Sequence, residues 1–166
     1  MNGANEDSKS KQKVSTETIE YLYVLETSSW EKCGTIDLDL HDKPKYREDP
    51  WKLFHIMSDN TSLLLRDKSY KGVTLYNLDE CEEMSNYPNI CAKAILDLKV
   101  LKDNTTLCIG SEDKKLRFFD LSAGTIIATL PGHNMKINQV EIGGINQEYA
   151  ITCSDDGNII IWYTKT

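Results

Sequence analysis

The sequence predicts an all-β fold built from an internal repeat, and three observations carry that prediction. Apolar residues come in runs of four to eight, rich in Val, Ile, Leu and aromatics, each bounded by Asp, Asn, Gly or Ser. No stretch of eleven or more residues holds a helical apolar stripe between capping residues. Tyr76, Phe119 and Trp162 hold the same place in three such runs, 43 residues apart at each step.

Taken in order, Met1–Ser15 has almost no large apolar residue and cannot bury enough surface to offset backbone entropy, so residues 1–15 are expected to form a disordered tail. Strand candidates follow at Tyr21–Leu25, Thr35–Leu40, Leu53–Met57, Ser62–Leu65, Val73–Leu78 and Ala94–Val100. They continue at Leu107–Gly110, Leu116–Leu121, Thr125–Leu130, Ile137–Ile142, Tyr149–Thr152 and Asn158–Tyr163. The last two copies of the repeat align without a gap: Leu107–Asp113 lies over Ala150–Asp156, and Leu116–Asp120 over Ile159–Tyr163. An earlier copy is looser, with Asp59-Asn60-Thr61 matching Asp103-Asn104-Thr105, and Gly34–Leu40 resembles Gly72–Leu78 as a degenerate start of another. The expected organisation is therefore residues 16–166 as one repeat domain, with repeats near 47–78, 90–121 and 133–164.

A period near 43 residues made of short strands is the length of one four-stranded propeller blade. The last repeat opens with Gly132-His133, turns at Ser154-Asp155-Asp156-Gly157 and ends its strand with Ile161-Trp162. In these residues the chain resembles the WD-repeat family. It departs from the family's Trp-Asp pair at Trp162-Tyr163, Phe119-Asp120 and Tyr76-Asn77, and one repeat earlier the Gly-His position holds Asn89-Ile90. The resemblance implies a partial β-propeller of about three to four blades. It also implies a buried hydrogen-bond chain running from His133 through Asp156 and Thr152 or Ser154 to Trp162. Elementary chemistry supports such a chain, because a buried carboxylate and imidazole are tolerated only when each donor and acceptor finds a partner. The rival reading, a hydrolytic triad of His133, Asp156 and Ser154, lacks the elbow and oxyanion hole a serine nucleophile needs.

Composition narrows the function further. With 19 Lys+Arg against 26 Asp+Glu the formal net charge is −7, so direct nucleic-acid binding is not expected. No window approaches the roughly 18 consecutive apolar residues of a membrane span, which makes cytosol or nucleus the expected address. The five cysteines show no C-x-x-C pair and read as reduced, small apolar residues. Asp37-Leu38-Asp39-Leu40-His41-Asp42 would place Asp37, Asp39 and His41 on one strand face, but reads as a solvated edge rather than a metal site. The basic runs Lys43–Arg47 and Lys114–Arg117 are interleaved with acids and read as charged turns. Trp30 and Trp51 stand in polar surroundings, either as partner anchors or as core of degenerate blades. No phosphate loop, H-E-x-x-H or G-x-S-x-G occurs, so neither cofactor nor catalysis is expected.

The reading is thus a non-enzymatic protein-interaction scaffold or adaptor subunit. By the resemblance, the partner-binding loops are Asn134, Met135 and Lys136, with Asp155 in the last repeat and Glu112 in the one before. A propeller typically has four to eight blades, so the alternative is an obligate half-propeller subunit, or the C-terminal half of a longer WD-repeat protein, that closes through its blade edges, as a homodimer or with another chain. The segment Thr16–Leu25 is a candidate for an outer strand that clasps the last blade.

Overall fold

The structure, a computed structural model, describes residues 54–164 and, before them, the backbone of two strands, β1 (Tyr21–Leu25) and β2 (Lys32–Asp37). The expected tail, Trp30, Trp51 and the residues from Leu38 to Asp42 lie outside the described residues. Every described element is a strand. β1 and β2 form an antiparallel pair, with Tyr21 opposite Asp37.

Three further sheets follow the repeat. The first runs β3 (Phe54–Ile56), β4 (Ser62–Arg66), β5 (Val73–Asn77) and β6 (Glu82–Tyr87) in sequence order. The second runs β7 (Ile95–Val100), β8 (Thr106–Ser111), β9 (Lys115–Asp120) and β10 (Thr125–Pro131). The third has β11 (Ile137–Gly143), β12 (Tyr149–Ser154) and β13 (Ile159–Tyr163). Two antiparallel meanders of four strands and one of three, at this period, make a partial β-propeller.

The turns repeat as faithfully as the strands. Asn60, Asn104 and Gln147 hold φ of 58°, 60° and 59° in the turn between the first and second strands of each sheet. Tyr70, Lys114 and Gly157 hold 62°, 72° and 80° in the next turn, and Cys81 and Gly124 hold 55° and 64° in the one after. Left-handed backbone costs an L-residue about 1–2 kcal/mol, so its recurrence in step with the repeat marks turns fixed by the meander rather than by local preference. Side chains assist: Asp59 and Asp103 accept from the backbone N–H groups two and three residues on. Asn77 and Asp120, just after the repeat's aromatic, do the same for the third turn.

Strand alternation gives each sheet two faces, and the core lies between sheets. Leu64 and Val73 of the first sheet, with half-buried Leu75, pack against Ile95, Leu98 and Ile109 of the second. Cys108, Leu116 and Phe118 of the second pack against Ile137, Val140 and Ala150 of the third. Polar ties cross that seam as well: Asp97 Oδ2 accepts the Val140 N–H at 2.8 Å, and Lys99 Nζ lies 2.9 Å from Glu141 Oε1. Burial pushes the Asp97 carboxyl up.

Three expectations are corrected here. β6, Glu-Glu-Met-Ser-Asn-Tyr, is an outer strand that the sequence pattern misses, because an exposed outer strand needs no apolar alternation and takes its conformation from β5. The clasp is the second: β1 pairs with β2, and among the described residues no strand lies beyond β13. β2 also begins at Lys32, three residues ahead of the expected strand, and its described residues end at Asp37.

Candidate functional site

The third sheet joins its elements through one polar chain. His133 lies just ahead of β11, Thr152 on β12, Asp156 in the β12–β13 turn and Trp162 on β13. His133 Nδ1 is 3.0 Å from Asp156 Oδ2 and its Nε2 is 2.7 Å from Thr152 Oγ1. Trp162 donates its indole N–H to the same hydroxyl at 2.9 Å. One assignment satisfies every group: Trp162 donates to Thr152, Thr152 donates to His133 Nε2, and His133 Nδ1–H donates to Asp156.

Asp156 ties the loop to the turn. Its Oδ2 accepts the Asn134 N–H at 2.7 Å, and its Oδ1 accepts the Asn158 N–H at 3.0 Å. The Asn134 N–H first, then Asn158 and His133, hold this carboxyl well below the usual carboxylate range against the opposing pull of burial. Ser154, the other expected link, stays out of the chain; its Oγ accepts the Asp156 N–H at 3.2 Å and shapes the turn. The arrangement cannot run hydrolysis, because the hydroxyl facing His133 belongs to Thr152, which is 0% exposed and offers no attacking oxygen to a substrate.

This chain displays the loop Asn134-Met135-Lys136 beside Asp155. The Asp155 N–H donates to the Lys136 carbonyl at 3.3 Å, Lys136 Nζ lies 3.6 Å from Asp155 Oδ2, and Asn138 donates to Asp155 Oδ1. Met135 is exposed. One repeat earlier the Glu112 N–H donates to the Ala94 carbonyl at 2.9 Å, so Glu112 occupies the same place at the same end of its sheet.

The second sheet does this work with different chemistry, which the sequence reading misses. Asp113, the counterpart of Asp156, takes a bidentate pair from Arg117 at 2.9 and 2.7 Å. Ser111 Oγ donates to Asp113, and the Ala92 N–H donates to Asp113 at 3.1 Å, as Asn134 does to Asp156. Arg117 is 6% exposed and buried, so it is no solvated turn residue. The available signal was its alignment with Ile160, an interior strand position, four residues after the turn acid. Cys91 lies against the same guanidinium, and burial raises its thiol pKa; Cys108 is pushed up to about 12 by burial. Neither is a poised thiolate. Among the described residues no cluster of three or more His, Cys, Asp or Glu is placed to hold a metal.

Residues 124–163 match the family described as WD domain, G-beta repeat. The chain is similar to GID complex subunit 7 of Schizosaccharomyces pombe, 34% identical over 64 residues that cover 39% of this chain and 13% of that protein. It is similar to Pre-mRNA-processing factor 19 of Bos taurus, 29% identical over 117 residues, covering 64% of this chain and 23% of that protein. It is also similar to the Denticleless protein homolog of Homo sapiens, 28% identical over 100 residues, covering 56% and 13%. The matched segments span less than a quarter of the length of these relatives.

Proposed function

Because this chain carries WD repeats in a partial β-propeller, we propose that it is a non-enzymatic protein-interaction module, a scaffold or adaptor subunit of a larger complex. The observation that carries the proposal is the locked loop and turn of the third sheet. His133, Thr152 and Asp156 spend all their polar capacity internally, and what they leave outside is Asn134, Met135 and Lys136 beside Asp155. Glu112 extends that surface onto the second sheet. Exposed Met with carboxylates suits a peptide bearing Lys or Arg, with charge acting mainly on the association rate. Two of the similar proteins are named for a complex or a processing factor, which is compatible with a subunit role. A cytosolic or nuclear address belongs to the same proposal, supported by the free thiols at Cys81, Cys91, Cys108 and Cys153.

The test is partner capture by the full chain against the Glu112→Lys and Asp155→Lys variants. Loss of capture, with association slowed and salt dependence reduced, is expected; unchanged capture by both variants contradicts the proposal.

A second reading has its own observation. Among the described residues the third sheet has three strands where the first and second have four, which supports completion through the blade edge by another chain, a second copy included.

A further inference from the structure

The end of the molecule that displays Asn134, Met135 and Lys136 changes its charge from one seam to the next. Where the first and second sheets meet, residues 88–94 link β6 to β7 and are pinned on both sides. The Cys91 N–H donates to the Lys71 carbonyl at 2.9 Å, and the Ile95 N–H, just after the loop, donates to the Tyr70 carbonyl at 2.6 Å, both in the β4–β5 turn. On the other side the Ala92 N–H donates to Asp113 Oδ2 at 3.1 Å, and the Ala94 carbonyl accepts the Glu112 N–H at 2.9 Å, both in the β8–β9 turn. Lys93 stands between those last two anchors, so its backbone is fixed over the seam. Lys71 belongs to the first turn, and Lys114 and Lys115 follow Asp113 in the second, where the Lys115 N–H donates to Asp113 Oδ1 at 3.3 Å. Strand alternation puts Lys115 on the face of β9 that turns Arg117 toward Cys91. Lys71, Lys93, Lys114 and Lys115 thus gather around one loop from separate stretches of backbone.

The carboxylates closest in the chain to those lysines are committed inward. Asp67 accepts the Ser69 hydroxyl and the Lys71 and Gly72 N–H groups, closing its own turn. Asp113 is matched by the bidentate Arg117 guanidinium. Lys68 and Glu112, in the same two turns, are one of each sign. Lys93, Lys114 and Lys115 are exposed and Lys71 is half-buried, and among the described residues no ion pair involves any of them. Lysines elsewhere are occupied: Lys99 by Glu141, Lys102 by the Ile145 carbonyl and Lys136 by Asp155. At the next seam Asp156 meets a His133 that carries no charge in the assignment given above, and Asp155 already answers Lys136, so negative charge is in surplus there. In the second sheet Arg117 cancels the turn carboxylate instead, which leaves the lysines above it as a local positive field in a chain of formal net charge −7.

We infer that this rim of lysines is a docking surface for an acidic run in a partner protein, an extended segment carrying several Asp or Glu side chains. The inference rests on the reading of the chain as an interaction module, and adds a second surface, opposite in sign to the one at Asp155. Lysine offers a compact point charge on a flexible stem, whereas planar bidentate capture of one phosphate or carboxylate is the work of arginine. Cations set on a turn, a loop and a second turn suit carboxylates spread along a strand, which advances about 3.3 Å per residue. Exposed charges of this kind act on encounter and on the choice of partner, and salt screens them beyond about 8 Å at physiological ionic strength. A partner that covers both surfaces is acidic over the first seam and basic over the second.

A direct probe is a fluorescein-labelled peptide of six glutamates, titrated against the full chain by fluorescence anisotropy. The chain as a whole repels such a peptide, so binding reports the local field. Saturable binding is expected at about 50 mM salt, and much weaker binding at about 300 mM. Lys93→Glu and Lys114→Glu should each weaken it about fivefold, and together about twentyfold or more. Lys102→Glu makes the same change in net charge in the β7–β8 turn, at the opposite end of the sheet, and should weaken it less than about twofold. In amide spectra the peptide should shift Ala92, Lys93 and Lys114 and leave Asn146 and Gln147 unmoved. Equal weakening by Lys93→Glu and Lys102→Glu would mean bulk charge rather than a site and overturns the proposal, as does absence of binding. Tighter binding by an otherwise neutral peptide bearing one phosphoserine overturns the acidic run in favour of a phosphate. Asp155→Lys should not weaken glutamate binding, so failure of this surface and failure of the interaction reading, tested at Glu112 and Asp155, are separate results.

Discussion

Thr152→Val tests the central polar chain at its joint. The substitution keeps the shape of a fully buried residue and removes one oxygen that accepts from Trp162 at 2.9 Å and faces His133 Nε2 at 2.7 Å. Each buried polar group left without its partner costs about 1–3 kcal/mol, so the loss should be about 2–5 kcal/mol. With a urea slope of about 1.5–2 kcal/mol/M, the unfolding midpoint should fall by about 1–3 M. Thr152→Ser keeps the hydroxyl and gives up one methyl group, about 1 kcal/mol. In a Trp162→Phe background, which has no indole N–H, Thr152→Val should cost about 1 kcal/mol less than in the parent. Urea unfolding followed by circular dichroism measures the parent and all four variants. If Thr152→Val costs no more than Thr152→Ser, or the cycle shows no coupling, the chain is not what holds this sheet together.

Other expectations follow from neighbouring geometry. Asp113→Ala strands the buried Arg117 guanidinium and should cost about 3–5 kcal/mol in the same assay, whereas Asp113→Asn combined with Arg117→Leu should cost much less. Gly110→Ala would set a Cβ 2.7 Å from the terminal carbons of both Ile137 and Val140, where overpacking costs about 1–3 kcal/mol. The Asp156 carboxyl, depressed in the folded state, contributes stability that is present above its ordinary value of 3.8 and is lost as pH falls through its folded value. Asp156→Asn should therefore flatten the acid limb of a stability-versus-pH curve. Asp97 has the opposite sign: burial raises it, so its folded form binds a proton that the unfolded chain has released, and stability should decline as pH rises above 3.8. Asp97→Asn should remove that decline, read by thermal melts across the acid range.

The parts of the fold legible in the sequence are those that bury side chains against another sheet. Inner strands such as β8 and β9 must present Leu107, Ile109, Leu116 and Phe118 to two neighbours, so apolar runs and the repeat interval reveal them. β6 makes no such demand, since the pairing with β5 sets its conformation, and its polar sequence carries no strand signal. The polar chain was legible from residue types at the family's positions, but the choice of Thr152 over Ser154 was set by strand phase. Thr152 lies on the face shared with Val140 and Ile160, while Ser154 has already entered the turn. Arg117 escaped notice because a basic residue next to lysines reads as solvated, and only the sheet shows that its neighbours Leu116 and Phe118 point one way while Arg117 points the other, toward Cys91.

Among the described residues β13 is the last strand of the third sheet, and this is tested most directly by amide hydrogen exchange, residue by residue along β13 in the isolated full chain. Ile160 and Trp162, bonded to β12, should exchange slowly, and Ile159, Ile161 and Tyr163 orders of magnitude faster, giving protection that alternates along the strand. Uniform protection across all five residues would mean that the edge is already paired, and would contradict the account.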